Sequence, residues 1–237
     1  MTFVFSTVFD SFVELIHSYL PNVVSTFPLL LKHTKETLIM VFFSGIYASV
    51  IGIPLGVLLF SLGKGNVLEN KYIHSILSKI INILRSIPFI ILVSSIPWLI
   101  KFLGGSTIGI KGAIVSLSIG CFPFMARQVE LSLLQVDRGV VEAYESMGFT
   151  SFQIIRKVII KEALPYIVQA ITVSFVSLVS FSAVAGSIGG GGLGSFAIQY
   201  GYNEFKNDIM FITVIIILLI VTLIQALGDF IYKKLKH

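Results

Sequence analysis

The sequence predicts an all-α integral membrane protein with five transmembrane helices, an N-terminal amphipathic helix and a charged cytoplasmic segment between the third and fourth spans. Three observations carry that prediction. The 237 residues are 55% apolar and only 12% charged, with a mean hydropathy of +0.95. A soluble domain of this size needs far more polar surface to cover its core. The apolar residues fall in charge-free runs near the length that crosses a bilayer. The basic residues gather at the ends of those runs, the ordinary topological use of Lys and Arg.

Residues 1–33 stand apart from the rest. Phe5, Phe9, Phe12, Ile16 and Tyr19 recur at helical spacing, while Asp10, Glu14 and His17 share another face. This pattern, ended by Pro21, reads as an interfacial amphipathic helix. No basic residue precedes the apolar stretch, which argues against a signal peptide. Residues 34–229 form the transmembrane domain. Thr37–Leu62 is charge-free and makes the first span. Ser86–Ile100, with the turn before it, makes the second. Gly112–Ala126, extended at both ends, makes the third. Ala163–Asn203 also lacks charge but is too long for one helix, so it divides near Gly186 into a fourth span and a loop. Ile209–Gly228 is the fifth. Pro54, Pro88, Pro97 and Pro123 do not refute helices, because membrane helices tolerate proline. Residues 230–237 form a basic tail.

Five spans put the two ends of the chain on opposite sides. With Lys233, Lys234 and Lys236 in the cytoplasm, 12 of the 17 Lys and Arg residues lie inside. The N-terminus is then outside and the C-terminus inside.

The spans exclude several kinds of chemistry. Ion-coupled carriers place ionisable groups within their spans, yet the middles of all five lack Asp, Glu, Lys, Arg and His. Arg85 and Asp229 lie at span ends and read as interfacial anchors. The glycine cluster "GSIGGGGLGS", Gly186–Ser195, is not a phosphate-binding loop, because Ser195 stands where the lysine is required. Either a flexible loop or tight backbone packing fits it better. His17, His33, His74 and His237 are scattered, with no metal-ligand spacing. Cys121 is alone in an apolar run and reads as a small buried hydrophobe. No cofactor, metal, nucleic acid or catalytic site is expected; if the protein moves a solute uphill, the energy comes from another chain.

Against this background, Arg127–Glu162 holds 10 of the 29 charged residues. It reads as two short helices. Val140–Met147 forms the first, with Glu142 and Glu145 on its exposed face. The two glutamates mimic an acid pair, but a solvated helix face is the better reading. Gly148 is a natural C-terminal stop. Thr150 to Gln153 fits a capping box that opens the second helix. On that helix Phe152, Ile155 and Ile159 form an apolar stripe, which is expected to be exposed. A helix–glycine–helix knob under the membrane suits a groove on a partner.

The segment "EAYESMG" resembles the Glu-Ala-Ala-three-residues-Gly signature of ABC-importer permeases. The stretches "NILRSIPFIIL" (Asn82–Leu92), "PFMARQVE" (Pro123–Glu130), "MGFTSFQIIRKV" (Met147–Val158), "EALP" (Glu162–Pro165) and "GGGGLGSFAIQYGY" (Gly189–Tyr202) resemble the methionine-uptake subfamily in order. The resemblance runs from about Thr34 to Asp229. It departs from the signature at Tyr144, where a small residue is usual and where the ring is expected to crowd a partner. It departs again at Ile160-Lys161, where the family commonly has Leu-Pro.

The resemblance implies a homodimeric permease of a bacterial inner membrane, with two ABC ATPase subunits beneath it and an extracytoplasmic substrate-binding protein above. The permease itself would not be an enzyme, and the charged segment would carry the coupling helix. Glu142, Ala143, Tyr144, Gly148 and Phe149 are the candidate docking residues. The implied function is import of an amino acid, methionine first, by alternating access. Three other readings stay open: an ABC permease for another amino acid, an ATP-independent channel or carrier, and a membrane scaffold that recruits a signalling partner.

Overall fold

The computed structural model describes residues 20–102 and 106–236. The proposed amphipathic helix of residues 1–19 lies outside the described residues. Within them the chain is helical, with no strand. Four helices are long and apolar enough to cross a membrane, five if one bent pair is a single span.

Helix α1 is Pro21–Leu62, 42 residues, or about 63 Å at the helical rise of 1.5 Å per residue. Pro21 opens it, as suits a residue whose missing N–H costs nothing in the first turn. The expected first span is its C-terminal part. Nothing at residues 33–34 breaks the helix, so the polar stretch Lys32–Glu36 continues in register beyond the span.

The second span departs from the prediction. Instead of one helix it forms three pieces: α2 (Lys71–Ser86), α3 (Phe89–Ser95) and α4 (Pro97–Phe102). The first two meet at 96°. The cause is local. Ile87 precedes Pro88 and is extended, with ψ 121°, as the proline ring requires of its neighbour, and Pro97 opens the next piece.

Helix α5 is Ile110–Leu133, extended at both ends as expected, and it carries Pro123 without a break. The polar hairpin follows: α6 (Arg138–Ser146), α7 (Ser151–Ile154), a wide π-helical turn Ile155–Ile159 and α8 (Ile160–Glu162). Helix α9 (Leu164–Ala185) then crosses to a glycine turn, Gly186–Gly190. A short helix α10 (Gly192–Phe196) and a π-helical turn Ala197–Tyr202 lead to α11 (Asn207–Leu235). The tail proposed from residue 230 onward stays helical to Leu235.

Helices α1 and α5 form the most extensive pair, and α9 packs between α5 and α11. The core runs through Met40, Leu117, Cys121, Met125, Leu178 and Phe196, all fully buried. Helix α11 is the most peripheral, burying only Ile209, Thr213, Ile220 and Gly228. The bundle thus has two ends. One carries the α6–α8 hairpin and the Gly63–Asn70 loop, and the other carries the glycine turn.

The glycine cluster is a packing device and not a flexible loop. A Cβ on Gly194 would strike the backbone carbonyl of Ala183, so only glycine lets α10 lie against the end of α9. The turn is pinned to α1. Glu36 Oε2 accepts the Gly192 N–H at 2.9 Å, and Thr37 Oγ1 accepts the Leu193 N–H at 2.8 Å. His33 Nδ1 approaches Glu36 Oε2 to 2.9 Å without reaching hydrogen-bond geometry. Its ring lies among those of Phe196 and Tyr200, with centroids 5.5 and 6.5 Å away.

Candidate functional site

The hairpin starts at Asp137, whose carboxylate accepts the Gly139 N–H at 2.7 Å and so caps α6. Helix α6 buries no residue fully. Val140, Val141 and Tyr144 are half-buried and pack against the core. Glu142, Ala143, Glu145, Ser146 and Met147 are exposed. One face is therefore anchored and the other is free.

The end of α6 is a Schellman turn. Gly148 sits at φ +78°, a left-handed conformation that strains a side chain. Its N–H donates to Glu145 O at 2.9 Å, and the Phe149 N–H donates to Tyr144 O at 3.2 Å. The Tyr144 and Phe149 rings meet edge to face, with centroids 5.1 Å apart and an interplanar angle of 80°. That contact is the hydrophobic partner of the turn. Tyr144 therefore points at the bundle and does not crowd the exposed face, contrary to the expectation from its size.

Thr150 opens α7 with a complete capping box. Thr150 Oγ1 accepts the Gln153 N–H at 3.4 Å, and Gln153 Oε1 accepts the Thr150 N–H at 2.9 Å. Ser151 Oγ donates to Val67 O at 3.3 Å, tying the hairpin to the loop after α1.

The expected exposed stripe on the second helix is a correction. Ile155 and Ile159 are buried, together with Ile154 and Val158, and only Phe152 remains open, at 70% exposure. The stripe faced inward because the hairpin lies on the bundle, which sequence periodicity cannot reveal. The five candidate residues accordingly divide. Glu142, Ala143 and Gly148 are exposed, whereas Tyr144 and Phe149 hold the hairpin in place.

One group near the hairpin escaped the sequence reading. Glu130, in the last turns of α5, is 6% exposed. Arg127 Nη1 donates to its Oε2 at 2.7 Å, and His74 Nε2 of α2 stands 3.7 Å from its Oε1. Arg85 lies over the Phe124 ring at 5.6 Å. These side chains join the hairpin end of α5 to α2, which otherwise touches the bundle through a small cluster around Leu59, Ile81 and Ala126. The i,i+3 spacing of Arg127 and Glu130 was the available signal.

Residues 52–237 match the family described as the binding-protein-dependent transport system inner membrane component. The chain belongs to that family. The permease is 43% identical over 213 residues to the methionine import system permease protein of Bacillus subtilis, covering 90% of this chain and 95% of the relative. It is 45% identical over 161 residues to the D-methionine transport system permease protein of Escherichia coli K12, covering 67% and 73%. Its fold is similar to that of a chain from the MetNI methionine ABC transporter, solved in inward-facing conformations. The TM-score there is 0.88 and the identity 41%, covering 90% of this chain and 99% of that one.

Proposed function

We propose that this permease is the membrane subunit of an ABC importer that carries methionine inward by alternating access. The observation that carries this reading is the TM-score of 0.88 at 41% identity to a methionine transporter subunit across 90% of the chain. The relatives named for methionine import point the same way.

In this reading two copies form the permease, two ATPase subunits dock beneath them, and an outer binding protein delivers the solute. The chain itself hydrolyses nothing. The N-terminus is outside, the C-terminus and the hairpin are cytoplasmic, and residues 34–229 carry the transport function. Glu142, Ala143 and Gly148 meet the ATPase, while Tyr144 and Phe149 stiffen the helix behind that contact. ATP closes the ATPase pair and draws the docked hairpins together. The hairpin's ties support transmission of that motion. Ser151 bonds the loop after α1, and Ile154, Ile155, Val158 and Ile159 pack into the core. A displaced α6 therefore moves helices and is not absorbed by a slack connector.

The test is uptake of labelled methionine by vesicles holding the permease, its ATPase and a binding protein, with Glu142→Lys beside wild type. ATP-dependent uptake that Glu142→Lys abolishes, with folded permease retained, supports both import and docking. Uptake of a different amino acid alone keeps the mechanism and rejects methionine. Uptake indifferent to ATP rejects the importer.

A further inference from the structure

The bundle is apolar almost throughout, yet most of its glutamines are concentrated in one place. Four of the chain's six glutamines, Gln128, Gln135, Gln169 and Gln225, line a single crevice between α5, α9 and α11. The crevice encloses about 740 Å³, within the range of about 300–1,000 Å³ common to ligand sites. None of the four side-chain amides makes a hydrogen bond among the described residues. Each carries two donors and an acceptor, and an amide left without a partner in an apolar medium costs roughly 2–7 kcal/mol. A face carrying four of them is a poor surface for lipid and a good one for water and polar solute.

The crevice opens toward the hairpin end. Gln169 lies five residues into α9, and Gln225 lies ten residues before the end of α11. At 1.5 Å per residue these positions sit about 8 and 15 Å from that end. At that same end Ser132 Oγ donates to Tyr166 O at 2.9 Å and ties α5 to α9. One charged group lines the crevice, Asp229, one turn beyond Gln225 on the same face of α11. It makes no ion pair among the described residues, and no Lys, Arg or His shares the lining. Leu131 and Val173 supply an apolar wall.

We infer that this crevice is a solute-binding vestibule of the transport path, built for a zwitterionic amino acid with an apolar side chain. The ammonium group pairs with the Asp229 carboxylate, the solute carboxylate accepts N–H bonds from the glutamine amides, and the side chain rests on Leu131 and Val173. With one charge and several neutral dipoles the site orients a zwitterion yet holds it weakly enough to release it. Asp229 is thus a solute ligand and not only an interfacial anchor. This inference rests on the importer reading.

The test uses the full complex in proteoliposomes. Asp229→Asn and Gln225→Leu should each lower ATP-driven methionine uptake by about tenfold, the loss expected from one charge-assisted hydrogen bond. ATP hydrolysis stimulated by the binding protein should stay within about twofold of wild type, since neither residue lies in the hairpin. Val173→Cys should react with a charged thiol reagent, and excess methionine should slow that reaction; Leu219→Cys on the outer face of α11 should not react. The native Cys121 is fully buried and gives no background.

Wild-type uptake by both variants overturns the assignment, as does a Val173→Cys that is inert or unprotected by methionine. A Val173→Cys that cross-links two copies also overturns it and makes the crevice a protomer contact. A wild-type complex without ATP-driven amino-acid uptake rejects the importer itself, while the thiol reaction still judges whether the crevice is watered.

Discussion

Tyr144 is the residue whose assignment changed most between sequence and structure, and its truncation separates support from docking. Tyr144→Ala removes an edge-to-face ring pair, worth about 0.5–1.5 kcal/mol beyond area burial. It also removes half-buried aromatic surface. Full burial would set the loss at about 3–5 kcal/mol, so partial exposure brings the total to about 2 kcal/mol. The Tyr144 hydroxyl makes no hydrogen bond among the described residues, so Tyr144→Phe should be neutral within about 0.5 kcal/mol. The loss is local to the α6–α7 turn, and hydrogen exchange reads it directly. Amides of Gly148 and Phe149 should exchange about 30-fold faster in Tyr144→Ala, the equivalent of 2 kcal/mol, and at wild-type rate in Tyr144→Phe. Uptake should fall with the fraying helix. Glu142→Lys is the counterpart: uptake lost, exchange unchanged. If Tyr144→Ala abolishes uptake while hairpin exchange stays at wild-type rate, Tyr144 belongs to the docking surface and its supporting role is wrong.

Three further predictions concern the rest of the bundle. Gly194→Ala drives a Cβ against the Ala183 carbonyl; backbone overpacking of about 2 kcal/mol should lower the melting midpoint in detergent by about 5 °C, whereas Ser187→Ala on the exposed side of the turn should leave it unchanged. Thr37→Val removes the acceptor of the Leu193 N–H and leaves a buried donor unpaired, at about 1–3 kcal/mol; faster exchange at Gly192–Leu193 with hairpin exchange unchanged checks it. Glu130→Ala leaves Arg127 without its carboxylate; because Arg127 is partly exposed, the loss should be about 2 kcal/mol, below the 3–5 kcal/mol of a fully buried pair, and Glu130→Gln should recover part of it by the same thermal assay.

The helical bundle was legible wherever charge-free length decides the structure, as in α1, α5, α9 and α11. The second span was not, because prolines with the same local signature behaved in two ways. Pro54 and Pro123 sit within unbroken helices. Beside them Gly52 and Gly56 bring α1 within close contact of Met125, Ala126 and Val129 on α5, and that packing holds both helices in register. Pro88 and Pro97 lie in a segment that is mostly exposed; Ile87 takes the extended geometry that Pro88 asks of it, Phe89 then seats against Gly120 of α5 and the Phe181 ring, and Ile96 ends α3 at ψ 16° before Pro97. Whether a membrane proline kinks or breaks a helix is thus set by its neighbours across the interface.

The hairpin shows the same division at finer scale. Its caps are local, four residues wide, and so Gly148 and Thr150 were legible in the sequence, whereas the Asp137 cap, which starts α6 two residues before Val140, was missed. Its faces are tertiary. Ile155 and Ile159 have the spacing of a docking stripe, and Tyr144 has the bulk of an obstruction, but both properties depend on which side the bundle occupies. Once the isoleucines and the ring pair are inside, the surface left for a partner is short, polar and centred on Glu142, Ala143 and Gly148, with Met147 and Phe152 as its exposed apolar side chains. A partner gripping that surface has little apolar area to hold. In the proposed docking its specificity rests on the shape of the glycine turn and on charge at Glu142, and its mechanical purchase on residues it never touches. That is why Glu142→Lys and Tyr144→Ala are expected to impair transport by different routes: the first removes the grip, and the second loosens what the grip pulls on.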